Sequence, residues 1–178
     1  MRKIKCILKR CEENGTLSEN DTQALLVEPV LCLAGYNIYN PSIIKRASRA
    51  SSRQEFDVEV YKNGKLFIAI EVKSLSSKEF NISKINNGIG ALSQQQGQWT
   101  NEPGDGVGQL RAYCVNWSSK INNGTIPVIT NGKEWVLFNL SAFVNNLNQN
   151  ISSSMILGQA EITDDNFFET IIKKIKNT

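Results

Sequence analysis

The segment 65–73, with the sequence Lys-Leu-Phe-Ile-Ala-Ile-Glu-Val-Lys, constrains the fold of this chain more than any other part. Its apolar middle, Leu66 to Ile70, is continuous, and a short continuous apolar run is typical of a β-strand that is covered on both faces. The run is far shorter than the roughly 18 residues of a transmembrane helix. The segment therefore predicts a central strand of a packed sheet, and we expect no association with a membrane.

A second strand precedes this one. Apolar and polar residues alternate from position 55 to position 61, which is typical of a half-buried strand. The sequence Lys62-Asn63-Gly64 then turns the chain into the central strand. The two strands are predicted to form a hairpin.

The length of the hairpin loop decides which side chains share a face. With the two-residue loop Asn63-Gly64, Asp57 would lie opposite Ile70, on the face away from Glu71. With the three-residue loop 62–64 and a bulge, Asp57 would instead pair with Ala69. This second register brings together the side chains of Asp57, Glu71 and Lys73. The hydrophobic pattern favours it, because the opposite face then carries Phe56, Val58, Val60, Ile68, Ile70 and Val72.

Two carboxylates and a lysine on one face suit the hydrolysis of a phosphodiester. Asp57 and Glu71 offer the oxygen ligands that Mg²⁺ prefers, with Mn²⁺ able to substitute. Lys73 could contact the scissile phosphate or orient the attacking water, and burial and the nearby acids would shift its pKa in opposite directions. The competing interpretation is a buried Glu71–Lys73 ion pair. We favour the functional one, because charges are costly in a core unless they are paired, and these lie at the end of an otherwise apolar strand.

Several other classes of chemistry are excluded by composition. The chain has no histidine, so Ser-His-Asp and Cys-His catalysis and histidine metal sites are ruled out. Its four cysteines form no CxxC pair, which argues against a zinc site. No GxxxxGK[ST] loop is present, so no nucleoside triphosphate is expected as a ligand.

Two further segments carry charged side chains. Ser18 resembles the cap of a helix that runs to about Ala34, with a kink at Pro29. Downstream, residues 45–53 interleave serines with four cations, a composition that suits phosphate contacts and equally a loop that binds nothing. The four cations are Lys45, Arg46, Arg49 and Arg53. A basic stretch at residues 2–10 is most simply a solvated helix face.

The order of the elements predicts one α/β domain, with a mixed central β-sheet flanked by helices. Residues 1–17 form a basic N-terminal helical extension, residues 18–140 the core, and residues 141–178 a helical segment that packs on it. The basic start lacks a continuous hydrophobic region, so we expect a cytoplasmic protein.

A family resemblance rests on an ordered set of motifs. Asp57 followed by Glu71-Val72-Lys73 resembles the signature of the PD-(D/E)xK, or restriction-endonuclease-like, nucleases. Residues 22–31 with Gly35-Tyr36, the QxxxY pattern at 109–113, and residues 127–132 with Trp135 are similar to the N-terminal nuclease domain of type I restriction enzyme R subunits. The resemblance covers about residues 18 to 140. It implies a restriction-endonuclease-like fold.

The resemblance also implies roles for individual residues. Asp57 and Glu71 would be metal ligands, joined by the Val72 carbonyl, and Lys73 would be the catalytic lysine. Gln109 and Tyr113 would approach the site and either contact DNA or position the catalytic groups, although an ordinary helix pair would have the same spacing. An acid of the first helix would also approach the site, and the candidates are Glu19 and Glu28.

These expectations describe a stand-alone, Mg²⁺-dependent DNA endonuclease of restriction or defence type, without the helicase motor of a type I R subunit. The alternative is a nucleic-acid-binding module that keeps the nuclease fold but needs a partner protein to cleave. One site cuts one strand, so cleavage of both strands would require a homodimer or two events. A partner protein could also supply sequence specificity.

Overall fold

The computed structural model describes residues 1–15, 17–47, 56–75, 94–95, 98–99, 106–116, 120–145 and 151–176. Helix α1 is Arg2–Asn14, and helix α2 consists of Glu19–Thr22, a π-helical segment Gln23–Val27 and Glu28–Leu33. Strands β1, β2 and β3 are Ile44–Arg46, Val58–Lys62 and Lys65–Val72. The short pair Gln94–Gln95 (β4) and Gln98–Trp99 (β5) follows.

The remaining elements complete the sheet and its cover. Helix α3 is Gly106–Asn116, strands β6 and β7 are Ile126–Thr130 and Glu134–Phe138, and helix α4 is Leu140–Asn145. A 3₁₀ turn, Ser153–Met155, leads into β8, Ile156–Glu161. Helix α5 closes the described chain with a π-helical segment, Phe168–Ile172, and a last turn, Lys173–Ile175.

Six strands form one mixed sheet in the order β1-β2-β3-β6-β7-β8. The β3–β6 pair is parallel and all other neighbours are antiparallel. Buried residues of α1, α2 and α5 pack with one face of the sheet, and those of α3 and α4 pack with the other. The prediction of an α/β protein with a mixed central sheet is therefore confirmed, and β3 is a central strand, as expected.

The β2–β3 hairpin differs from the favoured prediction. Its loop has two residues, Asn63 and Gly64, both with positive φ (53° and 74°), so Lys62 pairs with Lys65. Asn-Gly suits this type of turn because both central positions need the left-handed region. The prediction of a three-residue loop with Asp57 paired to Ala69 is therefore wrong.

A β-bulge in β3 restores the shared face that the three-residue loop was expected to produce. Tyr61 pairs with Leu66 and Val60 with Ile68, so Phe67 is the extra residue of the bulge. Beyond the bulge Val58 pairs with Ile70, and continuing this register by one residue places Asp57 opposite Glu71. The two acids thus meet across the strands.

Two other expectations need correction. Phe56 was expected on the face of Val58 and Val60, but it packs in the opposite core, edge-on to Tyr113 with 5.9 Å between ring centroids. The segment 141–178 was expected to be helical, but it also contributes the edge strand β8. No helix in the described ranges is long and apolar enough to cross a membrane.

Helix α2 begins where the sequence indicates. The Ser18 hydroxyl accepts a hydrogen bond from the Asp21 N–H (3.1 Å), and the Asp21 carboxylate accepts one from the Ser18 N–H. Together these two bonds form a capping box. The sequence predicted a kink at Pro29; the structure has a π-helical segment that ends two residues before this proline. The cap fixes the first turn of α2, from which Glu19 extends.

Candidate active site

The site lies where β2 begins and β3 ends. Asp57 comes just before β2, and its Oδ2 accepts a hydrogen bond from the Val72 N–H at 2.7 Å. The Lys73 N–H donates to the carbonyl of Thr130 at 2.8 Å, which ties the end of β3 to β6. These backbone contacts hold Asp57, Glu71 and Lys73 close together at the end of β3, where the sequence analysis expected them to share one face.

Lys73 is held by side chains from two elements. Its Nζ donates to Glu71 Oε1 at 2.8 Å and to Gln109 Oε1 of helix α3 at 3.1 Å. Gln109 Nε2 in turn donates to the Tyr113 hydroxyl at 2.7 Å. The predicted Gln109–Tyr113 pair therefore reaches the site through the lysine, with Tyr113 one step behind Gln109.

Glu71 is the most deeply buried ionisable side chain in this cluster. Its relative exposure is 2%, and its second carboxylate oxygen, Oε2, is buried without a hydrogen-bond partner among the residues that the structure describes. Burial, followed by repulsion from Asp57, raises the pKa of Glu71 to about 8, and Lys73 only partly opposes the shift. Burial also raises the pKa of Asp57 to about 6. Near neutral pH the shift in the pKa of Glu71 therefore favours its protonated form when no cation is bound, because one lysine does not offset burial and the repulsion between two carboxylates.

The same surroundings decide the charge of Lys73. Burial lowers its pKa, but Glu71, Glu19 and Asp57 together outweigh burial, so the pKa of Lys73 is raised. Lysine is normally protonated well above neutral pH, and this shift keeps it so. Lys73 is therefore a fixed cation, suited to contacting a phosphate and unsuited to acting as a base.

The two candidate acids of the first helix lie in different places. Glu19 Oε1 is 3.8 Å from Lys73 Nζ, and the Glu19 side chain is 54% exposed. Glu28 Oε1 instead accepts from Arg46 Nε at 2.6 Å and from Gln23 Nε2 at 3.2 Å. Glu19 is the helix acid that faces the site, and Glu28 has a structural partner.

The predicted DNA-contacting cations are less available than the sequence suggests. Arg46 is bound to Glu28 and to the Ile38 carbonyl, and Lys45 lies over the Tyr61 ring, 4.4 Å from its centroid. Both belong to strand β1 rather than to a loop. Arg49 and Arg53 lie outside the described residues.

Gly106 was not recognised from the sequence as part of this site. A Cβ atom at this first residue of α3 would lie 2.6 Å from Lys73 Cε and 3.0 Å from Ile129 Cδ1. The helix therefore rests directly on the aliphatic stem of the lysine. A single glycine in a Gly-rich and Asn-rich stretch carries no signal that distinguishes it.

Asp57 and Glu71 are the residues of this cluster that could hold a hard divalent cation. Both have carboxylate oxygens, and within the described ranges Glu71 Oε2 is a buried acceptor without a partner. In the part of the chain that the structure describes, no group of three or more His, Cys, Asp or Glu residues could hold a metal ion. A cation here would therefore depend on the carboxylate pair, with backbone carbonyl and water oxygens completing its shell.

Comparison with family models, with curated proteins and with solved structures found no match for this chain. The arrangement of the residues themselves therefore has to indicate the function.

Proposed function

We propose that this chain is a metal-dependent nuclease that hydrolyses phosphodiester bonds in DNA, with a restriction-endonuclease-like arrangement of its site. The observation that carries the proposal is Glu71, a buried carboxylate with an oxygen left open, beside Asp57 and a fixed lysine cation. A buried acid without a partner is costly, and such groups concentrate at functional sites.

In this proposal Asp57 and Glu71, with the Val72 carbonyl, would hold Mg²⁺, for which Mn²⁺ could substitute. A bound divalent cation stabilises negative charge on a phosphoryl oxygen and lowers the pKa of a coordinated water. Lys73 keeps its proton and places a positive charge beside the scissile phosphate, where negative charge grows in the transition state. Gln109 holds the ammonium group in position, and Tyr113 fixes the orientation of the Gln109 amide.

The choice of DNA rests on the motif set and on the order of the elements. The hairpin with its ExK ending, a helix carrying Gln109 and Tyr113, and a second hairpin follow one another as in the nuclease domain that the sequence resembles. Glu19 on the first helix is close enough to Lys73 to serve as the additional acid of that site. The basic isoelectric point, about 8.7, is compatible with a polyanionic substrate.

The test is cleavage of supercoiled plasmid DNA with Mg²⁺, with Mn²⁺ and with EDTA. The parent chain is compared with Glu71→Gln and with Glu59→Gln, a matched control because Glu59 is also buried and belongs to the same hairpin. We expect the parent and Glu59→Gln to nick the plasmid only with metal, and Glu71→Gln to be inactive while remaining folded by circular dichroism. If the parent binds DNA but never cuts it, a partner-dependent binding module is the better account.

A further inference from the structure

Helix α1 presents two chemically different faces. Ile4, Leu8 and Cys11 are buried in the core beside α2. The opposite face is exposed and carries four cations at helical spacing. These four residues, which together form the α1 cation stripe, are Arg2, Lys3, Lys9 and Arg10.

The stripe is largely unneutralised. Among the described residues, the one ion pair of its members joins Lys9 Nζ to Glu13 Oε1 at 3.8 Å, and both side chains are mostly exposed. Such a pair contributes little and is easily exchanged for another partner. Arg46, which the sequence suggested for phosphate contacts, is by contrast held by Glu28.

Two connections link the C-terminal end of α1 to the elements that carry the candidate active site. Glu12, in the last turn of α1, accepts a hydrogen bond from Lys133 Nζ at 3.1 Å, and Lys133 belongs to the turn that follows Thr130. Thr130 is the residue whose carbonyl binds the Lys73 N–H. In the sequence, Glu19, which faces Lys73, follows the last residue of α1 by five positions.

The site itself offers a phosphate chain little attraction when no metal is bound. Asp57 and Glu19 lie around a single lysine, and Lys73 is already engaged by Glu71 and Gln109. Affinity for nucleic acid comes mainly from cations that contact phosphates. Positions seven apart on a helix are separated by about 10 Å, so the two ends of the stripe can contact different phosphates along one backbone.

We propose that the α1 cation stripe docks the phosphate backbone of duplex DNA and guides it to the Asp57–Glu71 site. The identity of this polyanion rests on the proposed nuclease function. A membrane surface is the other partner of basic amphipathic helices, but these insert an apolar face, and that of α1 is buried in the core. Charge complementarity with a phosphate chain needs only the exposed face.

The experiment measures binding of a fluorescein-labelled DNA duplex by anisotropy in EDTA, over a series of salt concentrations. The test variant replaces all four stripe residues with Gln, which preserves helix propensity. The control replaces Lys62 and Lys65, at the loop end of the β2–β3 hairpin, with Gln. In the stripe variant alone, we expect affinity to fall by about tenfold or more and the salt dependence to become shallower, by roughly one unit for each phosphate that is no longer neutralised.

Equal affinity and equal salt dependence in the parent and the stripe variant would overturn the proposal. Binding to vesicles of phosphatidylserine and phosphatidylcholine in place of DNA would also overturn it. Hydrolysis of bis(p-nitrophenyl) phosphate with Mn²⁺ separates this inference from the proposed function, because that small ester does not need the stripe. If DNA binding depends on the stripe but the parent hydrolyses neither substrate, docking stands and the nuclease proposal fails.

Discussion

Glu59 and Glu71 are both buried carboxylates of the β2–β3 hairpin, but their surroundings differ. Glu59 has partners on both oxygens, because Oε2 accepts from the Tyr61 hydroxyl at 2.7 Å and Oε1 from Lys120 Nζ at 3.2 Å. Glu71 has Lys73 on one oxygen and, in the part of the chain that the structure describes, no partner on the other. Buried acids normally have both oxygens satisfied, so this difference is the reason that we propose a ligand for Glu71 and a structural role for Glu59.

The largest expected effect follows from the two lysines of this comparison. Lys73→Met should lower single-turnover cleavage by about a thousandfold or more, because it removes the cation beside the scissile phosphate. Lys120→Met removes the partner of the structural acid Glu59 and should change the rate less than threefold. Rates are measured with excess enzyme and saturating Mg²⁺. Equal losses in the two variants would show that the difference between the surroundings of Glu71 and Glu59 does not distinguish a functional acid from a structural one.

The second prediction concerns stability against pH in the presence of EDTA. Because the pKa values of Asp57 (about 6) and Glu71 (about 8) lie above their ordinary values, the folded chain binds more protons than the unfolded chain across this range. These two acids should therefore contribute most to the free energy of unfolding near pH 4, and this contribution should fall by several kcal/mol as the pH rises to 8. Urea titrations at several pH values measure it.

Glu71→Gln sharpens this second prediction. The amide does not titrate, so the decline in the free energy of unfolding between pH 6 and pH 8 should become flatter. The charged groups that act on Glu71, which are Asp57, Lys73 and Glu19, remain in place in this variant. Mn²⁺ added to the parent at pH 8 should restore the lost stability. An unchanged slope in Glu71→Gln would mean that this acid does not carry the unfavourable charge.

The third prediction is a smaller effect on activity. Gly106→Ala should reduce cleavage by about tenfold, since the new methyl group must displace the Lys73 stem from Glu71 and Gln109. The melting temperature should change little, because alanine favours the helix by roughly 1 kcal/mol over glycine. Gly124→Ala, where the new Cβ meets only Asn122 Oδ1 at 3.2 Å, is the control. Parental rates in Gly106→Ala would show that the activity does not depend on the contact between the Lys73 stem and the first residue of α3.

The smallest predicted effect is at Tyr113. Tyr113→Phe removes the hydroxyl that accepts the Gln109 N–H, a single hydrogen bond worth about 1 kcal/mol. We expect cleavage to fall by roughly fivefold, with Mn²⁺ affinity unchanged. A loss as large as that of Lys73→Met would mean that Tyr113 acts directly on the substrate.

The parts of the fold that were predictable are those with local signals. The continuous apolar run of β3 indicates a central strand, and Ser18 with Asp21 indicates a capped helix start. The shared face of Asp57, Glu71 and Lys73 was expected from the hydrophobic pattern. The loop predicted to produce it was wrong, because the bulge at Phe67 has no sequence signal of its own.

The parts that were missed depend on contacts between distant segments. Strand β1 is a three-residue edge strand in a basic stretch, so its hydrogen bonds to β2 are visible only in the fold. Strand β8 lies in a segment predicted to be helical, and it too is defined by its pairing with a neighbour, β7. The choice between Glu19 and Glu28 likewise depends on Arg46, which lies far from both in sequence and binds Glu28.

The central claim is that Asp57 and Glu71 hold a divalent cation, and Mn²⁺ binding followed by electron paramagnetic resonance tests it most directly. The parent chain and Glu59→Gln should each bind one Mn²⁺ with the same affinity. Asp57→Asn and Glu71→Gln, both still folded, should lose this binding. Mn²⁺ affinity in Glu71→Gln equal to that of the parent would contradict the claim.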